Sequence, residues 1–217
     1  MKAKANSAMV YIVDDDEDMR TSLSWLLASV KIEAQCFGSA EQFLAALDLS
    51  LPSCLVLDVR MPEVGGFELQ AELNRRGVSV PTIFVSGHGD IPMSVRALQN
   101  GAIDFVEKPY NSQEMLERIQ RALKIAVETH AVVRHREVLA QRIGALTARE
   151  QQVLAGVLEG KPSKSIARDL GISAKTVDVY RANIKEKLGA TSIASLVKDV
   201  LQIQHLGAPN LHVNLLS

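Results

Sequence analysis

The run Cys54-Leu55-Val56-Leu57-Asp58-Val59-Arg60-Met61-Pro62 carries four apolar residues of strand length straight into a carboxylate. An acid at the end of a buried strand is costly to desolvate, so its presence there points to chemistry rather than packing. Working outward, the same arrangement recurs. Met9 to Val13 is apolar and is followed by Asp14, Asp15 and Asp16; Thr82 to Val85 ends at Ser86-Gly87; Phe105-Val106 leads into Glu107-Lys108-Pro109. Carboxylates, a hydroxyl and an ammonium at successive strand ends are what open α/β sheets gather into sites.

Between these runs lie helical patterns. Leu23, Leu26, Leu27 and Val30 share one face of a helix starting at Glu17, and Ser39 can cap a helix over Ala40–Leu47. Gly65-Gly66 turns into a helix Phe67–Arg75, and a helix Ile91–Gln99 is stopped by Gly101. With Ala34–Phe37 as a further strand, five strands alternate with helices, which predicts a doubly wound parallel α/β sheet covered on both faces. Right-handed crossovers bring the C-terminal strand ends to one edge.

From Asn111 the pattern stays helical, with Leu116, Ile119, Leu123, Ala126, His130 and Val133 at three- and four-residue steps. The stripe fades at Arg134-His135-Arg136-Glu137, so the continuation reads as a helical linker in which His130 and His135 are solvated. A second, all-α pattern opens at Leu146. Thr147 and Glu150 have capping-box spacing, and Val153, Leu154, Val157 and Leu158 follow. A short helix Lys164–Leu170, the turn Gly171-Ile172-Ser173, a helix Ala174–Leu188 and a helix Ile193–Ile203 complete it, with Gly207 and Pro209 marking a loose tail.

The 217 residues are 47% hydrophobic but only 4% aromatic, so the core should be aliphatic. The net charge of −1 hides a split. Residues 1–143 hold 15 basic and 19 acidic side chains, whereas residues 144–217 hold nine basic and six acidic. A basic rear half is a weak pointer to nucleic acid, since solvated helical faces carry as much. Cys36 and Cys54 are isolated in strand-like runs and read as small core residues, with neither disulfide nor zinc spacing. The residues before Asp14 lack an apolar stretch of leader length, and no window approaches a membrane span. The expectation is a soluble cytoplasmic protein.

Asp14, Asp15 and Asp58 can meet at neighbouring strand ends, where their mutual repulsion is relieved by a hard divalent cation such as Mg²⁺. With Lys108 and Ser86 nearby, the set suits phosphoryl transfer onto Asp58. An acidic triplet alone is equally a helix N-terminal cluster; it is the ordered recurrence at strand ends that favours a site. On these motifs residues 9–126 resemble the receiver domain of two-component response regulators, with sheet order 2-1-3-4-5. The resemblance implies that Asp14 and Asp15 are the acidic metal pair, and Asp58 the phosphoacceptor. It makes Arg60 a metal ligand through its carbonyl, Ser86 the switch hydroxyl, Phe105 the switch aromatic, and Lys108 the lysine before a cis proline, Pro109. Ser86-Gly87-His88-Gly89-Asp90-Ile91-Pro92-Met93 is similar to the FixJ branch.

In the rear half, two helices joined by a glycine-containing turn have helix-turn-helix form, with Ile166, Ala167 and Leu170 expected against Val177, Ile184 and Leu188. An ordinary helical hairpin with a solvated basic face has the same spacing. The match extends through Leu146-Thr147, Arg149-Glu150, Gly160, Ile166-Ala167, Ile172-Ser173, Thr176-Val177, Asn183-Ile184 and Lys187-Leu188, so residues 146–203 look like the LuxR/FixJ-type DNA-binding domain. That implies DNA-binding roles for Lys175, Thr176, Asp178, Val179, Arg181, Ala182 and Lys185. Asp178 stands where many relatives have lysine; it can accept a hydrogen bond from cytosine N4 or point to solvent. Tyr180, where relatives often have histidine, can reach a phosphate.

The implied organisation is a receiver over residues 1–126, a linker over 127–143 and the helix-turn-helix domain over 144–217. The implied function is a DNA-binding transcription regulator that is not an enzyme beyond slow autodephosphorylation. Its expected partners are a sensor histidine kinase, double-stranded DNA, a second copy when phosphorylated, and RNA polymerase, with no membrane role. Dimers would set two recognition helices roughly 34 Å apart. A rival reading, an aspartyl-phosphate hydrolase, wants a second acid two residues past the nucleophile, where this chain has Arg60. A receiver whose rear half binds protein is the third.

Overall fold

Residues 8–87 and 90–205 are described by a computed structural model. The chain divides into two compact units, with the division falling between Ala131 and Val132. The expected loose tail at Gly207 and Pro209, the first seven residues, and His88-Gly89 lie outside the described residues.

The first unit alternates β1 (Met9–Val13), α1 (Glu17–Ser29), β2 (Glu33–Phe37), α2 (Ala40–Ala46), β3 (Ser53–Asp58), α3 (Gly66–Arg75), β4 (Thr82–Ser86), α4 (Ile91–Gln99) and β5 (Asp104–Glu107), then enters α5 (Ser112–Gly144). All pairings are parallel, in the order β2-β1-β3-β4-β5. The strands read as continuous apolar runs because both faces of the sheet are covered. Val10, Ile12, Cys54, Val56, Ile83 and Val85 face Leu23 and Leu27 of α1 and Met115 and Ile119 of α5. Their alternates Tyr11, Val13, Leu55, Leu57 and Phe84 face Phe43, Leu69, Leu73 and Ala97 of α2, α3 and α4. Each of these large side chains contributes on the order of 1.5–3 kcal/mol by leaving water.

The helix starts follow local chemistry. Asp16 caps α1 through the amides of Asp18 and Met19, Ser39 caps α2 through that of Gln42, and Asp90 caps α4 through that of Met93. Cys54 is buried as expected, but Cys36 is exposed. It lies on β2, an edge strand, where Ala34, two residues earlier on the same face, is only partly buried against the core. Val30, expected on the apolar face of α1, instead closes that helix and is exposed.

The linker expected after residue 126 forms the rest of α5, whose end carries Leu139 and Ile143 into the core of the second unit. There α6 (Ala148–Leu158), α7 (Ser163–Leu170), α8 (Ala174–Leu188) and α9 (Ile193–His205) pack around Val153, Leu154, Ile166, Val177, Ile184, Leu188 and Leu196. Thr147 and Glu150 form the full capping box at the start of α6. Gly171 ends α7 at φ 67°, the left-handed conformation that lets the chain turn at once into α8. No helix among the described residues is long and apolar enough to cross a membrane.

Candidate functional site

Strand register assembles the first site. Val13 pairs with Leu57, so the next residues, Asp14 and Asp58, emerge side by side where β1 and β3 part company with opposite neighbours. On the other side of β3, Asp58 pairs with Val85, and Ser86 pairs with Glu107. Lys108 follows, its amide donating to the Ser86 carbonyl at 2.8 Å and its peptide bond to Pro109 cis.

Lys108 Nζ donates to Asp14 Oδ2 and to Asp58 Oδ1, each at 2.6 Å. One ammonium thus holds two buried carboxylates against each other. The remaining oxygens are occupied locally, Asp58 Oδ2 by the Arg60 amide at 2.7 Å and Asp14 Oδ1 by the Asp16 amide at 3.0 Å. Burial raises the pKa of the Asp58 carboxyl, and the bonds to Lys108 offset this only in part. Burial works against the Lys108 ammonium, but its bonds to Asp14 and Asp58 prevail and raise its pKa, so it stays charged.

The acidic triplet divides its labour. Asp14 is in the site, Asp16 caps α1, and Asp15 is exposed between them. Among the described residues no group of three acid, histidine or cysteine side chains is set to hold a metal. The donor set nevertheless fits Mg²⁺ in kind, since Asp14 and Asp58 are hard oxygen donors already converging on one cation. Ser86 is buried, and its hydroxyl lies 3.9 Å from the Met93 sulfur on α4. Phe105 is half-buried against the core layer that contains Phe84 and Ala97.

Sequence reasoning missed Arg20, whose Nη1 donates to the Asp14 carbonyl at 2.6 Å and so fixes the loop that presents the acid. Its position four residues after Asp16, on the first turn of α1, was the available signal.

In the second unit, Val177, Ile184 and Leu188 turn α8 inward against Ile166 and Ala167 of α7, with Leu170 partly buried alongside. Lys175, Thr176, Asp178, Val179, Ala182 and Lys185 are exposed, and Arg181 is half-buried. Tyr180 packs partly against the core. An exposed helix face of mixed basic and small residues is the kind that enters a major groove.

Two family models account for most of the chain. Residues 10–120 match the response regulator receiver domain, and residues 144–199 match the luxR family of bacterial regulatory proteins. The chain is a response regulator. It is 43% identical over 192 residues to the response regulator protein TodT of Pseudomonas putida, covering 88% of this chain and 85% of that one. It is 42% identical over 192 residues to the transcriptional regulatory protein FixJ of Rhizobium meliloti, covering 88% of this chain and 94% of FixJ. Among solved structures, the response regulator StyR is similar at TM-score 0.77 and 41% identity, covering 90% of this chain and 99% of StyR.

As a response regulator with a LuxR-type domain, the molecule is a transcription factor rather than an enzyme. Its DNA-binding class gives weight to a contact that no sequence pattern announced: Ser163, at the start of α7, donates to Asp178 of α8 at 2.7 Å. Fifteen residues separate the pair, and only the packed helix-turn-helix brings them together.

Proposed function

We propose that this response regulator accepts a phosphoryl group on Asp58 from a sensor histidine kinase in the cytoplasm, and that phosphorylation drives homodimerisation and operator binding. The observation that carries the reading is the Lys108 ammonium bonded to both Asp14 and Asp58.

In this mechanism an Asp58 oxygen attacks phosphorus in line as the P–N bond of the donor phosphohistidine breaks. Lys108 lies against the reacting carboxylate and follows charge onto the phosphoryl oxygens. Asp14, Asp15, Asp58 and the Arg60 carbonyl are the residues that would hold Mg²⁺, which when bound supplies further charge neutralisation on those oxygens. Burial of Asp58 strengthens each of these interactions by keeping water out.

The new anion gives the Ser86 hydroxyl a stronger acceptor than the Met93 sulfur. As Ser86 turns toward it, Phe105 moves inward and the two-state receiver is tipped. The face that responds is α4, where Ile91, Val95 and Leu98 are 80%, 45% and 51% exposed. Their spacing places them along one side of the helix, a stripe suited to pairing with the same stripe of a second copy. In the dimer, Lys175, Thr176, Arg181 and Lys185 hold DNA phosphates, while Asp178, Val179 and Ala182 approach base edges. RNA polymerase is the partner through which the bound dimer would act. The receiver spans residues 1–126, the linker 127–143 and the DNA-binding domain 144–217.

Nuclease footprinting of the upstream region of candidate target genes tests the reading. A phosphoryl mimic should strengthen protection by the wild type and leave Asp58→Asn unchanged. Protection that ignores the mimic in both proteins counts against phosphorylation control.

A further inference from the structure

Asp178 sits one turn into α8, on the exposed side shared with Lys175, Val179 and Ala182. An aspartate there weakens the attraction of its basic neighbours for phosphate, so it must contribute something else or be a liability on a DNA-binding face. Its carboxylate is not left to wander. Ser163 Oγ donates to Oδ1 at 2.7 Å, and Ser163 is half-buried at the first position of α7. The α7 N-cap, Pro162, has no side-chain hydrogen bond to the first turn. A carboxylate brought to that end is favoured by the helix dipole as well as by the hydroxyl. The result is an exposed carboxylate with one oxygen engaged by its own protein.

We propose that Ser163 and Asp178 act as a unit in choosing the operator. Ser163 is a positioning residue that orients the carboxylate, and Asp178 Oδ2 accepts a hydrogen bond from the exocyclic amino group of cytosine. This rests on the reading that α8 enters the major groove. There the donors are cytosine N4 and adenine N6, while guanine presents N7 and O6 and thymine O4, all acceptors that a fixed carboxylate repels. Adenine carries N7 beside its amino group, whereas cytosine N4 is flanked on its own ring by a C–H. Cytosine is therefore the base that suits an acceptor-only side chain. Orientation matters because a free aspartate would lose rotamer entropy on binding and would also turn toward other donors, spreading its preference.

The test is selection from a randomised duplex pool by the full chain treated with a phosphoryl mimic, comparing wild type, Asp178→Asn, Ser163→Ala and Ser163→Thr. Wild type should enrich cytosine at one position of each half-site, with a preference over guanine of roughly tenfold. Asp178→Asn should abolish that preference, because an amide offers a donor as well as an acceptor. Ser163→Ala should reduce it with an unchanged salt dependence of binding, since no phosphate contact is lost. Ser163→Thr, which keeps the hydroxyl, should restore it. If Asp178→Asn and Ser163→Ala lower the melting temperature but leave base preference untouched, the pair is a structural brace and the proposal is wrong. A wild-type motif with no cytosine dependence on Asp178 overturns it equally. Failure of the wild type to enrich any sequence overturns the groove-binding reading and the proposal with it.

Discussion

Arg142 Nη1 donates to the Leu188 carbonyl across 3.0 Å, so the last turn of α5 closes the C-terminal end of α8. Gly189 follows at φ 68°, and a Cβ there would collide with the same guanidinium nitrogen. Gly189→Ala should therefore cost more than the roughly 1 kcal/mol of a left-handed alanine, because it also displaces Arg142. Arg142→Met, which removes only the hydrogen bond and the helix-end charge, should cost about 1 kcal/mol. Thermal melts of the two variants, read by circular dichroism, should rank glycine replacement as the worse. Equal melts would contradict that ranking, and an Arg142→Met melt matching the wild type would mean that the Arg142 contact contributes nothing.

Glu150 links acid stability to the second unit. It is buried, Oε1 lies 2.7 Å from Lys187 Nζ, and Oε2 accepts from the Thr147 amide at 2.8 Å. The bond from Lys187, then that from Thr147, lower its pKa against the opposing effect of burial. A depressed carboxyl stabilises the fold above its unfolded pKa, and that contribution is lost as pH falls through the folded value. The wild type should thus exceed Glu150→Gln in melting temperature at neutral pH, with the gap closing as pH drops below about 4. A gap constant over that range would show that the carboxylate charge is unimportant.

Gly66 is fixed by space. A Cβ on it would meet the Asp58 carbonyl, with Phe84 Cε1 at 3.0 Å and Leu57 Cγ at 3.1 Å. Gly66→Ala should destabilise the first unit by about 1–3 kcal/mol despite alanine's better helix propensity, because α3 must move off β3. Denaturant melts measure this directly, and a neutral or stabilised variant would show that α3 has room to shift.

Lys108→Ala should leave Asp14 and Asp58 facing each other without their shared cation. The variant should melt lower than the wild type, and added Mg²⁺ should recover more stability in the variant than in the wild type. A variant insensitive to Mg²⁺ would indicate that the two carboxylates do not form a cation site.

The strands and most helices were legible because hydrophobic period and caps are local. Leu57-Asp58 and Val13-Asp14 announced strand ends, and Thr147 with Glu150 announced α6. Cys36 was misjudged because its run reads like a buried strand, and only the sheet order makes β2 an edge. The continuation of α5 was harder to see because the apolar stripe lapses over the exposed residues Arg134 and His135 before Leu139, Ile143 and Leu146 resume it in a different core. The acids of the site were readable as strand-end residues, but the bridge through Lys108, 94 residues from Asp14, depends on register. Ser163 and Asp178 gave no warning at all, since neither lies in a pattern that specifies the other.

Mapping of the phosphoryl group after reaction with a labelled small-molecule phosphodonor in Mg²⁺ bears most directly on the account. Peptide analysis should place the label on Asp58, with none retained by Asp58→Asn and strong loss in Lys108→Ala. Undiminished label in Asp58→Asn, or label on another residue of the wild type, would contradict it.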